Sequence, residues 1–185
     1  DEPSVERMKR LVNVNGALFP ADAPVISLDN RAFHYGDGLF ESVRVINGEP
    51  CFIDAHWARL STGAELLRIE LPERMDRPGF EKAIRELIAA TDIQSGRCRF
   101  TLYRSGGGHY RPQQDLGAYA IELVPMEAPH YTLNEVGLMV DIWPEMRKPI
   151  NDLSRHKTLN CHYYIMATLW SRQRGLDDCL LQNDR

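Results

Sequence analysis

Nothing in this sequence of 185 residues gathers its four cysteines together. Cys51, Cys98, Cys161 and Cys179 are scattered without a C-x-x-C pair, which excludes the spacing of a zinc site and of a disulfide framework and points to reduced thiols. No apolar run reaches the roughly 20 residues that a membrane-spanning helix needs. No signal-peptide pattern opens the chain either, so a cytoplasmic protein is expected. A basic excess is also missing: 22 Lys and Arg against 26 Asp and Glu leave a formal charge of -4, which offers no attractive field to nucleic acid or anionic lipid. Internal repeats, blocks of like charge and low-complexity segments are absent. What remains is a globular protein whose partners are small molecules.

The elements that are present suggest an α+β chain. "VISL" (25–28) and "SVRVINGEPCFI" (42–53) read as strands, the second a hairpin whose Asn47-Gly48 pair suits the positive φ values of a tight turn. Asp54 is placed to cap a helix that carries Trp57, Leu60, Ala64 and Leu67 at helical spacing. Pro78 suits the first turn of a second helix, with Phe80, Ile84, Leu87 and Ile88 as its apolar stripe. "CRFTLYR" (98–104) and "AYAIELV" (118–124) read as strands on either side of the loop "SGGGHYRPQQDLG". A strand is expected at 136–143, then a loop, then a helix from about Thr158 to Arg174 that Gly175 closes. This divides the chain into a first α/β domain at 1–124, a linker at 125–135 and the beginning of a second domain at 136–185. The terminal "DDCLLQNDR" reads as a strand with no partner in the sequence, so the chain is expected to stop inside that second domain.

One lysine, Lys157, stands where the polar "NDLSRH" gives way to the apolar "YYIMATLW". Position alone proves little, since most lysines are solvated. Three stretches in order carry more: "LDNRAFHYGDGLFESVRVINGEP" (28–50), "HWARL" (56–60) and "HKTLN" (156–160). Together they resemble the class IV pyridoxal-phosphate enzymes, the fold-type IV group of branched-chain aminotransferase, D-amino-acid aminotransferase and aminodeoxychorismate lyase. The resemblance runs from about Val12 to Arg185.

The resemblance implies a pyridoxal 5′-phosphate cofactor held as a Schiff base by Lys157, which then shuttles a proton to and from the substrate. Both jobs need an amine that sheds its proton in a partly desolvated pocket. The rival Lys148, in "MRKPIN", lacks the following "LN" and stands beside a proline in an expected loop. Arg59 matches the family's phosphate-binding arginine, whose planar fork grips two oxygens at once. Tyr35 and Phe40 fall where the family has pocket residues, beside Gly36 and Gly38, and either pocket or packing suits them. His34 and Asp37 take no catalytic role, Asp37 serving the turn, and Glu41 is given a structural polar position. Strand alternation puts Arg99, Thr101 and Tyr103 on one face and Phe100, Leu102 and Arg104 on the other. The family places carboxylate-binding residues near both Arg99 and Arg104, and parity does not choose between them. His109, in the glycine-rich loop, resembles part of a substrate loop.

One departure concerns Cys161, which stands where some relatives carry the tyrosine that bonds the cofactor's phenolic oxygen. The family's acidic partner for the pyridine nitrogen, and its remaining phosphate ligands, are implied to lie beyond Arg185. The expected activity is transamination between an amino acid and a 2-oxo acid in a homodimer. Pyruvate elimination from aminodeoxychorismate and a non-catalytic relative are the alternatives.

Overall fold

The computed structural model describes residues 10–127 and 130–184. Residues 1–9, 128–129 and 185 lie outside the described residues, and with them fall the start of the expected first domain, part of the expected linker and the last residue of the expected second one.

A six-stranded antiparallel sheet forms the body of the first part. The chain enters through β1 (Leu11–Val14) and β2 (Ala17–Pro20), a hairpin turned at Asn15 and Gly16, both at positive φ. A short helix α1 (Arg31–Tyr35), capped by the Asn30 side chain, precedes β3 (Gly38–Ile46), and Asn47 and Gly48 turn it into β4 (Glu49–Pro50). Helices α2 (Ile53–Leu66) and α3 (Arg77–Thr91) follow, then β5 (Gly96–Arg104) and β6 (Gly117–Pro125). The strand order is β2-β1-β6-β5-β3-β4. Alternation along the strands sends Leu39, Val43, Val45, Phe100, Leu102 and Ile121 to one face, where they meet Leu60, Phe80, Ile84 and Leu87 of the helices. The rings of Phe80 and Phe100 stand 4.8 Å apart and those of Phe100 and Tyr119 5.2 Å, so aromatic packing ties α3 to the middle of the sheet.

The rest of the chain makes β7 (Val140–Lys148), a 3-10 turn (Asp152–Arg155), α4 (His162–Gln173) and β8 (Asp178–Asn183). Trp143, Ala167, Trp170 and Cys179 form its small buried cluster.

Several expectations change. Residues 25–28 are irregular rather than a strand: Ile26 and Leu28 are exposed, and Asn30 N donates to Ser27 O in a local turn. The β1–β2 hairpin and α1 were not anticipated. The 42–53 hairpin is shorter on its second side because helix α2 already begins at Ile53. Phe52, at φ 55, is its N-cap, and Asp54 sits in its first turn and pairs with Arg77. The strand expected at 136–143 is displaced to Val140–Lys148, which puts Lys148 at the end of a strand instead of in a loop. The helix expected from Thr158 starts at His162, because the segment before it is extended against β3. The terminal strand does have a partner: β8 pairs with β7 in parallel, Val140 opposite Asp178 and Ile142 opposite Leu180. A parallel pair needs a crossover, and α4 supplies it. No helix among the described residues is long and apolar enough to cross a membrane.

Candidate active site

Lys157 is brought to the site by main-chain bonding. Phe40 N donates to Lys157 O at 2.8 Å and Leu159 N donates to Gly38 O at 3.0 Å, so residues 157–159 lie as an extra extended segment along the free edge of β3. Gly38 makes that approach possible. A Cβ there would meet Leu102 O at 2.4 Å and Leu159 Cδ1 at 2.9 Å. Gly38→Ala is therefore expected to strain the β3–β5 pairing and crowd the Leu159 side chain, at a cost of about 1–3 kcal/mol of stability, measured by urea unfolding. A variant with unchanged midpoint would show that the contact can relax.

Arg59, on α2, is oriented from below. Its Nε donates to Glu41 Oε1 at 2.7 Å and its Nη2 to Glu41 Oε2 at 2.5 Å, while His56 Nδ1 lies 2.7 Å from the same Oε2. Glu41 is 1% exposed. Burial pushes its carboxyl upward, but the hydrogen bonds and charges of Arg59 and His56 outweigh it and hold the pKa below the ordinary 4.5. The structural position expected for Glu41 is thus a specific one, aiming an arginine. Of the five N–H groups of a guanidinium, two are taken and three remain for an anion.

Phe40, on the opposite face of β3, has Lys157 Nζ 4.6 Å from its ring centroid and the Arg99 guanidinium carbon 3.9 Å from it. Arg99 therefore shares the Phe40 side with Lys157. Arg104 stands on the helix-covered face and its donors are committed: Nε to Asp37, Nη1 to Asp115 and Arg68 O, Nη2 to Leu67 O. A cavity of about 450 Å³ is lined by Phe40, Arg59, Lys157, Lys148, Arg155, Tyr163 and Tyr164 among others, and no aspartate or glutamate lines it among the described residues. Lys148 Nζ donates to Tyr164 Oη at 2.5 Å. Two lysines thus reach one cavity, which sequence reasoning did not foresee. The tyrosines Tyr163 and Tyr164 bring phenols to the wall that Cys161 also lines. Tyr35 lines a neighbouring cavity of about 280 Å³ with Tyr110, and the two cavities share Leu153, Thr158 and Asn160. His109 is exposed and lines neither.

Comparison with known proteins then decides the family. The sequence pattern of the amino-transferase class IV family matches residues 38–185, which takes in Phe40, Glu41, Arg59 and Lys157. The chain belongs to the class IV aminotransferase family. Among family relatives, the bifunctional aminodeoxychorismate lyase / D-amino acid transaminase of Mycobacterium tuberculosis is 30% identical over 102 residues, covering 52% of this chain and 34% of that protein. The branched-chain aminotransferase of Thermoproteus uzoniensis, solved with norvaline, superposes with a TM-score of 0.78 at 22% identity, over 94% of this chain and 60% of that one. The branched-chain amino acid aminotransferase of Escherichia coli gives 0.80 at 19% identity, over 94% and 60%. At such identities the structural likeness carries the fold, and this class IV aminotransferase chain spans about three fifths of those structures.

Proposed function

We propose that this class IV protein is a pyridoxal 5′-phosphate-dependent aminotransferase that moves an amino group between an amino acid and a 2-oxo acid. The observation that carries the reading is one cavity holding Lys157 and an Arg59 aimed by buried Glu41. These residues fit the cofactor: an amine for its aldehyde, a half-used guanidinium for its phosphate, and Phe40, Tyr163 and Tyr164 around a flat ring. When bound, the group supplies an electrophilic carbon and an electron-accepting ring.

The chain's own residues do the rest. Lys157 Nζ would hold the group and, once freed, would carry the proton that leaves the substrate Cα. Its main-chain bonds to β3 keep that amine at a fixed height on the wall while the side chain moves. Arg59, oriented by its two bonds to Glu41, would grip the phosphate. The substrate carboxylate is assigned to Arg99, which stands with Phe40, rather than to Arg104, whose donors are taken. The reading also carries a homodimer, checked by sedimentation equilibrium.

Amino transfer from a panel of L- and D-amino acids to 2-oxo acids, with the cofactor added, tests the proposal. Transfer supports it. Pyruvate release from aminodeoxychorismate without transfer moves the protein to the lyase reading, and neither activity in cofactor-loaded protein removes both.

Arg59→Ala is expected to weaken cofactor affinity roughly ten- to thirtyfold, the lower part of what charge-assisted bonds contribute, since the Arg59 side chain is 42% exposed. Turnover at saturating cofactor should change much less. Titration of the apo-protein by absorbance reads the affinity, and an unchanged value would take Arg59 out of the phosphate site.

A further inference from the structure

The "YGDG" aspartate has so far only a turn to serve, yet it is the hub of a buried ion network. Asp37 Oδ2 accepts from Arg31 Nε at 2.8 Å and from Arg104 Nε at 3.0 Å. The side chains of Arg31 and Arg104 are 4% and 8% exposed. Arg104 also holds Asp115 at the far end of the glycine-rich loop. Arg31 turns its remaining edge outward to the loop: Nη1 donates to Gly108 O at 3.0 Å and to His109 O at 2.7 Å.

The two ends of this loop are held differently from its tip. At the base, Ser105 N donates to Leu116 O, Glu70 N to Asp115 O and Gly117 N to Glu70 O, all main-chain bonds within 2.8 Å. Near the tip, the carbonyls of Gly108 and His109 are gripped by a guanidinium that Asp37 aims. Just beyond them Tyr110 faces Tyr35, ring centroids 5.6 Å apart, in the cavity that shares Thr158 and Asn160 with the lysine site. Two buried guanidiniums converging on one carboxylate also make that carboxylate hard to replace: without its charge they repel each other and Arg31 loses its orientation.

We propose that Asp37 is a positioning residue which, through Arg31, fixes the tip of the 105–116 loop and so sets Tyr110 against Tyr35 at the substrate side of the site. The consequence for substrate rests on the aminotransferase reading, whereas the clamp does not. Asp37 lines the same cavity as Tyr35 and Tyr110, but its carboxylate oxygen Oδ2 is spent on Arg31 and Arg104. It acts on the shape of the loop that carries Tyr110.

The test uses two variants. Asp37→Asn keeps the shape and loses the charge; Arg31→Lys keeps the charge and loses the fork, since one ammonium cannot span both the carboxylate and the two carbonyls. Chymotrypsin cutting after Tyr110 requires the tip to open. Loss of charge-assisted bonds should raise the rate of that cut roughly ten- to a hundredfold in both variants. The KM for the amino acid should rise by a similar factor, with kcat changed severalfold at most and with cofactor absorbance and affinity unchanged. If Asp37→Asn does not fold, Arg31→Lys alone decides. Cleavage within about twofold of wild type in a folded variant overturns the clamp, and faster cleavage with unmoved KM overturns its role toward substrate. Should the wild-type protein transfer no amino group, the activity reading falls while the cleavage rates still uphold or overturn the clamp.

Discussion

In Lys157→Ala, amino transfer is expected to drop by between about 10² and 10⁴-fold, or below detection, because in the proposed aminotransferase the variant would lose both the amine that holds the cofactor and the base that moves the Cα proton. The fold should survive. Lys157 is half-buried, and the alanine gives up only a contact with the Phe40 ring, on the order of 0.5–1 kcal/mol. The main-chain bonds that anchor residues 157–159 to β3 do not depend on the side chain. Borohydride reduction of cofactor-loaded protein, followed by peptide mapping, makes the prediction specific: the reduced adduct belongs on Lys157 and disappears in the variant. The location of Lys148 on the same cavity wall gives this experiment its force. An adduct on Lys148 with activity retained would transfer the central role to the lysine paired with Tyr164.

Glu41→Ala should cost about 2–3 kcal/mol of stability and lower the thermal midpoint by roughly 4–12 °C. It leaves His56 and Arg59 without the carboxylate that three hydrogen bonds now share. The figure sits below the full cost of breaking a buried pair because Arg59, half-exposed, can turn into water. Cofactor affinity should fall as it does in Arg59→Ala, since an arginine that is free to swing no longer presents its fork. Glu41→Gln adds a pH test. The carboxyl is held below its ordinary value of 4.5 in the folded protein, so its charged-state stabilisation is complete above that value and is lost as pH falls through the depressed folded pKa. Wild type should therefore exceed Glu41→Gln in urea midpoint at neutral pH, and the difference should shrink below pH 4.5. A difference that stays constant across that range would mean that Glu41 contributes shape rather than charge.

Glu41 and Arg104 also mark how far the site could be read from the sequence. In β3 the odd positions Leu39, Val43 and Val45 are apolar and buried, and Glu41 stands among them. In β5 the even positions Cys98, Phe100 and Leu102 are buried, and Arg104 follows in the same parity. A charge in a core-facing register must find a partner, so strict alternation was already a signal that both residues were tied down. Lys157, Arg59 and Phe40 were legible as a set because their motifs occur in order. Arg31 was not: a short helix before a glycine turn gives no sign that its first residue will be 3% exposed and reach a loop 77 residues away.

Helical stripes, the Asn47-Gly48 turn and the strands at 98–104 and 118–124 follow from periods of a few residues, and local chemistry is enough to produce them. That is why the sequence by itself determined the α2 and α3 faces and the sheet's central strands. Tertiary structure alone decided where edges find partners. Residues 158–161 look like the start of a helix, yet the helix waits until His162 because the open edge of β3 offers Lys157 and Leu159 main-chain bonds that a helix's first turn would leave unmade. The same logic gave β8 to β7, joined Arg59 to Glu41 across two elements, and turned Asp37 from a turn residue into the centre of an ion network. Apart from Arg31–Asp37, these contacts link groups 18 or more residues apart along the chain, where no repeating pattern records which donor will meet which acceptor.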